Sequence, residues 1–287
     1  MPTFSDFVAL TKPRITWLIL MSTAVGFYFG LPAIRSQSYI WTFINLLVGT
    51  GLIASGTAAL NQWYERELDS KMTRTATRPL PSGKLNPTPA LVFGILLSIA
   101  GFADLWVGCN PLTAWLGLFT LVTYLFVYTP LKRVSPHSTT LGAIPGAMPP
   151  LIGFAAASNA LNLEAWALYA ILFVWQFPHF YAIAWMYREE YSRAGIRMLP
   201  VVEPDCNSTA NRILWTSILM IPTSLLPIVL SMTGQVYTAF AILMGAMLLY
   251  SAWKLFKDRN EKNARYVLLT SVVYLPVIYA VLIFAPR

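Results

Sequence analysis

Three oxygen-bearing side chains, Asn61, Glu65 and Asp69, recur every fourth residue in the stretch NQWYERELDSKMTRTATRPLPSGK, residues 61 to 84. On a helix that spacing puts them along one face, rising about 6 Å per step, as a ledge of oxygen atoms. Hard cations such as Mg²⁺ take oxygen ligands, commonly one or two carboxylates together with substrate phosphates. The basic residues that follow, Lys71, Arg74, Arg78 and Lys84, suit the phosphates such a cation bridges, arginine in bidentate fashion. Pro79 and Pro81 are expected to stop the helix and turn the chain. The plainer account of these charges is a solvated loop face anchored at lipid headgroups.

A second polar segment, QFPHFYAIAWMYREEYSRAGIRMLP at residues 176 to 200, repeats the theme. Glu189 and Glu190 offer carboxylates there, with Arg188, Arg193 and Arg197 beside them. Two acidic ledges facing one cavity would suit a diphosphate held by metal ions, because the metal offsets repulsion between carboxylate and phosphate oxygens. The alternative for Glu189 is an ordinary surface pair with Arg193, worth a few tenths of a kcal/mol.

The elements that must position these residues are membrane spans. The chain has 287 residues, is 56% hydrophobic and 11% charged, and has a positive mean hydropathy, which points to a polytopic all-α membrane protein. Residues 1–287 are expected to form a single membrane domain. Nine apolar runs are long enough for spans of roughly 20 residues each: about 15 to 32, 40 to 60, 89 to 107, 112 to 129, 139 to 157, 164 to 186, 211 to 231, 236 to 254 and 266 to 285. Of the 20 basic residues, all but Arg35 and Arg287 fall in the N-terminus or the even-numbered gaps between these runs. The positive-inside rule therefore predicts a cytoplasmic N-terminus, an outer C-terminus and both acidic ledges on the cytoplasmic side. The net charge of +8 is accounted for by topology, and nucleic-acid binding is not needed to explain it.

The N-terminus carries neither a small-x-small cleavage site nor an Arg- and Ser-rich transit pattern, so a bacterial inner membrane is expected. Cys109 and Cys206 fall on opposite sides in this topology and are not expected to pair. Around span five, Pro145, Pro149 and Pro150 break regular helix, tolerated where irregular backbone lines a cavity. Gly142 and Gly146 permit close helix approach.

The pattern Asn61-x3-Glu65-x3-Asp69-x2-Met72-x-Arg74-Thr75-x2-Arg78-Pro79 resembles the first diphosphate motif of the UbiA superfamily of intramembrane prenyltransferases. MTRTATRPLPSGKL from Met72, YTPLKRVSPHSTTLGAIPGAMPPLIG from Tyr128 and WQFPHFYAIAWMYREEYSRAGIRMLPVV from Trp175 resemble, more narrowly, its haem-farnesylating branch. The likeness extends over essentially the whole chain and implies a UbiA-type helical bundle. It further implies that farnesyl diphosphate binds through Mg²⁺ to Asn61, Glu65 and Asp69, with Glu189 or Glu190 contributing from the second segment. Arg74, Arg78, Lys132 and Arg133 would hold diphosphate oxygens. The allylic cation would be attacked by a vinyl group of haem B, and water addition would give haem O; an enzyme converting haem O to haem A is a possible partner. Two departures stand out. Glu65 occupies a position where superfamily members generally have aspartate, and Glu189-Glu190-Tyr191 replaces the second aspartate-rich motif.

His179 lies on span six, eleven residues before Glu190, so the two are expected to share nearly one helix face. Its imidazole suits either the iron of a haem substrate or a hydrogen bond between helices. Aromatic faces suited to an allylic cation are plentiful, but none is distinguished from packing or interfacial use. Two other functions share parts of the pattern: prenylation of an aromatic acid or quinone precursor, and transport through related halves with broken helices. The concentration of acidic groups at helix ends, without an obvious ionic pair at the bilayer midplane, weighs against transport.

Overall fold

A computed structural model describes residues 3–32 and 37–285, so Arg35 and Arg287 lie outside the described residues. The described residues contain helices and no strand. In chain order the helices are α1 (Phe4–Leu10), α2 (Pro13–Gly30), α3 (Ser38–Asp69), α4 (Pro87–Gly108), α5 (Pro111–Val122), α6 (Thr129–Leu131), α7 (Ser138–Gly146) and α8 (Pro149–Ser158). Then come α9 (Leu163–Met186), α10 (Arg188–Arg193), α11 (Leu199–Val202), α12 (Asn207–Val229), α13 (Gln235–Lys257) and α14 (Glu261–Phe284). A π-helical segment, Thr123–Tyr128, joins α5 to α6.

Among the described residues, eight helical stretches are long and apolar enough to cross a membrane. They match the second to ninth of the expected apolar runs. The first run coincides with α2, whose 18 residues open on Pro13 and Arg14 and which is not among the eight. Rows of exposed apolar side chains, such as Ile95, Leu96 and Ile99 on α4, suit a surface solvated by lipid. Span five is built in two pieces, α7 and α8, interrupted at Ala147 and Met148 before Pro149.

The chain forms two compact units. The first comprises Met1–Pro130, Met148–Leu161 and Arg193–Gly195, the second Leu131–Ala147, Asn162–Ser192 and Ile196–Arg287. In the first, α3 packs on α4 and α2 on α8. Small residues set both contacts: a Cβ on Gly101 would meet the Gly49 carbonyl oxygen at 2.6 Å, and one on Gly153 would collide with the Thr23 carbonyl. In the second, α9 packs on α7, α12 and α14, and α13 on α12 and α14. Gly146 is a packing glycine, since a Cβ there would run into the Gln176 amide.

The length of α3 positions the acidic ledge. Its 32 residues rise about 48 Å, against roughly 30 Å of hydrocarbon core. Its polar residues gather in the last turns, so these reach past the apolar layer.

Candidate active site

Asn61, Glu65 and Asp69 lie along one face at the end of α3, only 3%, 8% and 3% exposed. The Asn61 side-chain amide donates to Glu65 Oε2 at 2.9 Å and to Thr129 Oγ1 at 3.3 Å, while its oxygen accepts from Lys12 Nζ at 3.3 Å. Asn61 and Glu65 are therefore joined in a polar network within a buried setting, where each hydrogen bond is strengthened by low polarity.

Thr129 and Lys12 were not singled out in the sequence, and each is placed by an irregular backbone feature. The widened π-turn at Thr123–Tyr128 carries Thr129, whose hydroxyl donates to the Tyr124 carbonyl at 2.8 Å. Lys12 precedes α2 in the left-handed region, at φ 47°, a conformation costly for a side chain with a Cβ. The Thr-Pro pair at residues 129 and 130 was the available hint, because proline frees a backbone carbonyl one turn earlier.

Helix α3 ends at Asp69 and Ser70, well before Pro79, so the expected stop at the prolines comes too late. The cause is local. Thr75 Oγ1 donates to the Asp69 carbonyl at 2.7 Å, and the next turns fold back through bonds from Met72 N to Asp69 O and from Ala76 N to Met72 O. The fold-back brings Arg78 to Asp69, with a guanidinium nitrogen 2.7 Å from Oδ2. Leu80 and Leu85 then sink into a cluster with Leu10, Ala59 and Ala90, pinning the loop to its neighbours. Gly83, at φ +74°, supplies the left-handed turn between those two leucines. Arg74 is exposed on the same loop.

These donors fit a magnesium diphosphate. No group of three His, Cys, Asp or Glu side chains converges as a closed cage among the described residues. Two carboxylates and an amide oxygen on one helix face, with an arginine at the end, match the way Mg²⁺ uses few protein ligands and takes the rest from phosphate and water.

The remaining expected site residues belong to the second unit. Lys132 is buried, and its carbonyl accepts from the Arg197 N–H at 2.8 Å; Arg133 is exposed. Glu189 and Glu190 lie on α10, the first exposed and the second half-buried. His179 and Glu190 do not share a helix. Helix α9 ends at Met186, and Tyr187 (φ −108°, ψ 18°) redirects the chain before α10 begins.

His179 is held from α14. Its Nδ1 is 2.9 Å from Ser271 Oγ, and Ser271 Oγ donates its own proton to the Leu268 carbonyl at 2.7 Å. With that proton committed, Nδ1–H must be the donor, which leaves Nε2 as the lone-pair nitrogen. Trp175 stacks on the ring at 4.5 Å and donates from Nε1 to the Ser271 carbonyl at 2.7 Å. The interhelical hydrogen bond is thus present, and it fixes the tautomer suited to binding an electrophile through Nε2.

Helical membrane bundles of this kind have been solved. A UbiA homolog from Aeropyrum pernix K1 has a TM-score of 0.74, with 94% of this chain and 97% of that one covered at 17% identity. A UbiA homolog from Archaeoglobus fulgidus bound to DMAPP and Mg²⁺ has a TM-score of 0.69, with 97% and 99% covered, also at 17% identity. At these identities the likeness establishes the fold alone, that of a bundle of long apolar helices. The chain belongs to the UbiA prenyltransferase family, which it matches over residues 19–275. A relative in Solibacter usitatus (strain Ellin6076) is a protoheme IX farnesyltransferase, 59% identical over 284 residues that cover 97% of each chain.

Proposed function

We propose that this protein transfers a farnesyl group from farnesyl diphosphate to a vinyl group of haem B, with water addition, to give haem O. The observation that carries this reading is the 59% identity over 97% of both chains with a protoheme IX farnesyltransferase. The buried Asn61–Glu65–Asp69 face supports it independently.

In the proposed reaction the allylic C–O bond breaks and diphosphate leaves with the electron pair. A haem vinyl π-bond attacks the allylic carbon, and the cation this creates on the former vinyl group takes up water and loses a proton. Asn61, Glu65 and Asp69 are proposed to hold Mg²⁺, which when bound offsets negative charge on the diphosphate. Arg74, Arg78, Lys132 and Arg133 are proposed to hold diphosphate oxygens; of these, the buried Lys132 and the sheltered Arg78 are cations fixed in a poorly polar setting, effective there because they need no reorganisation. Glu189 and Glu190 are proposed as the second set of carboxylates. His179 is proposed to meet the haem through Nε2.

An allylic cation survives only where water is scarce. Burial of the ledge favours such a setting. We further propose that the chain works as one nine-span domain in a bacterial inner membrane, N-terminus and active site on the cytoplasmic side. Its product would pass to an enzyme that converts haem O to haem A.

The test supplies haem B, farnesyl diphosphate and Mg²⁺ to the purified protein in detergent, with and without chelator, and reads the pigments by mass. A chelator-sensitive gain of farnesyl plus water on haem is expected. Unchanged haem beside prenylation of an aromatic acid would overturn the choice of acceptor; flux without turnover would overturn the enzyme reading.

A further inference from the structure

The connection from α13 to α14 is held together from within. The Asn263 side-chain amide donates to the Asp258 carbonyl at 2.7 Å, and the Asp258 carboxylate accepts from the side-chain amide of Asn260. Asn260 in turn caps α14, its oxygen accepting the Asn263 backbone N–H at 2.8 Å. Beside this connection lies a cleft of about 400 Å³, lined by Trp253, Lys254, Lys257, Lys262, Asn263 and Tyr266 among others. That volume falls in the range of about 300–1,000 Å³ typical of small-molecule sites.

Three ammonium groups and one carboxylate border the cleft, and the carboxylate is occupied by amide donors. Lys254 Nζ stands over two rings, 5.5 Å from the centroid of Tyr250 and 5.6 Å from that of Tyr266. Helix electrostatics explains part of this, since Lys254 and Lys257 in the last turn of α13 complement its dipole. It does not explain Lys262, which stands in the first turn of α14, where the dipole disfavours a cation. An anion in the cleft would offset all three lysines at once.

We infer that this cleft binds the phosphate of an anionic phospholipid. The choice of a lipid over a soluble anion rests on the surroundings. Tyr250, Trp253 and Tyr266 expose their rings beside the lysines, the pattern of side chains at a membrane interface. Both helices are among the eight long enough to span, so their joined ends lie at headgroup depth. Basic pockets between spanning helices are suited to acidic headgroups. The site is independent of the residues proposed for prenyl transfer.

The experiment titrates delipidated full-length protein in detergent with phosphatidylglycerol, phosphatidylcholine or inorganic phosphate and reads occupancy by native mass spectrometry. Phosphatidylglycerol is expected to bind at least tenfold more tightly than phosphatidylcholine. Each of Lys257→Gln and Lys262→Gln should weaken it about fivefold, with the Arg variants retaining it. Equal binding of phosphatidylcholine, or phosphatidylglycerol affinity unmoved by both Gln changes, would overturn the inference. So would inorganic phosphate occupying the cleft while phosphatidylglycerol binding depends on neither lysine. Should the Gln variants fail to fold, a salt titration of the unaltered protein decides: affinity falling with ionic strength supports the site, and indifference to salt sinks it.

Discussion

Arg78 and Asp69 form a pair with a guanidinium nitrogen 2.7 Å from Oδ2, joining the last carboxylate of α3 to the loop that folds back beneath it. Asp69 is 5% exposed at its side chain and Arg78 27%, so the pair is sheltered, and either side chain alone would leave the other poorly placed. Arg78→Ala is expected to lower kcat/KM for farnesyl diphosphate by about 10² to 10³, the scale of losing one preorganised charge stabiliser. Arg78→Lys should recover only part, because a point charge cannot reproduce a planar fork. Steady-state kinetics with the haem assay measures both, and an Ala variant with full activity removes Arg78 from the mechanism.

Thr129 tests the amide of Asn61. Its hydroxyl lies 3.3 Å from Asn61 Nδ2 and donates to the Tyr124 carbonyl, so Thr129→Val removes one acceptor for the amide and one donor at nearly constant shape. Loss of a single hydrogen bond of about 1 kcal/mol predicts a roughly fivefold fall in kcat/KM, with a rise in the Mg²⁺ concentration giving half-maximal rate. A change in thermal midpoint alone, with kinetics and Mg²⁺ dependence intact, would mark Thr129 as a support of the π-turn only.

Close packing in the first unit gives a prediction about stability. A Cβ on Gly153 collides with the Thr23 backbone carbonyl, which cannot swing aside as a side-chain end can. Gly153→Ala should therefore destabilise by about 1–3 kcal/mol. Gly51→Ala is the control, because its nearest neighbour, Leu20 Cδ2, is 3.8 Å from the added carbon. Thermal midpoints in the same detergent should fall for the first and hold for the second. Equal midpoints would mean that α2 and α8 are less tightly apposed than the structure has them.

The parts of this molecule readable from sequence are those with a period or a sharp change in polarity. Apolar runs located the eight helical stretches that, among the described residues, are long and apolar enough to span, and the four-residue spacing of Asn61, Glu65 and Asp69 located the ledge. The parts that escaped depend on contacts that carry no period, some local and some distant in sequence. The helix after Asp69 yields to a turn secured by the Thr75 hydroxyl, which outweighs the continuing helical pattern up to Pro79. The break at Tyr187 contains neither proline nor glycine, so nothing local separates His179 from Glu190. Lys12 reaches Asn61 across 49 residues of sequence, a pairing no local pattern specifies. His179 was legible as a residue to watch; its tautomer needed Ser271, on another helix.

Cys109 allows a test in which protonation reports burial. It sits between α4 and α5 with Sγ 3.5 Å from the Thr42 carbonyl, and burial, reinforced by the Asp104 carboxylate, pushes its thiol from 9.0 up to about 12. The shift disfavours the thiolate, the species that reacts. At pH 8 the folded protein in detergent should therefore be alkylated at Cys109 about 10³ times more slowly than a free thiol of ordinary pKa. The rate should keep rising about tenfold per pH unit past pH 9, where an ordinary thiol levels off. Cys206, also raised by burial, contributes to labelling, so the comparison uses a Cys206→Ser background. Mass spectrometry of timed samples gives the rates, and denaturation in SDS should abolish the protection. A folded-state plateau near pH 9 would show Cys109 in water and would contradict the packing of this connection against Thr42.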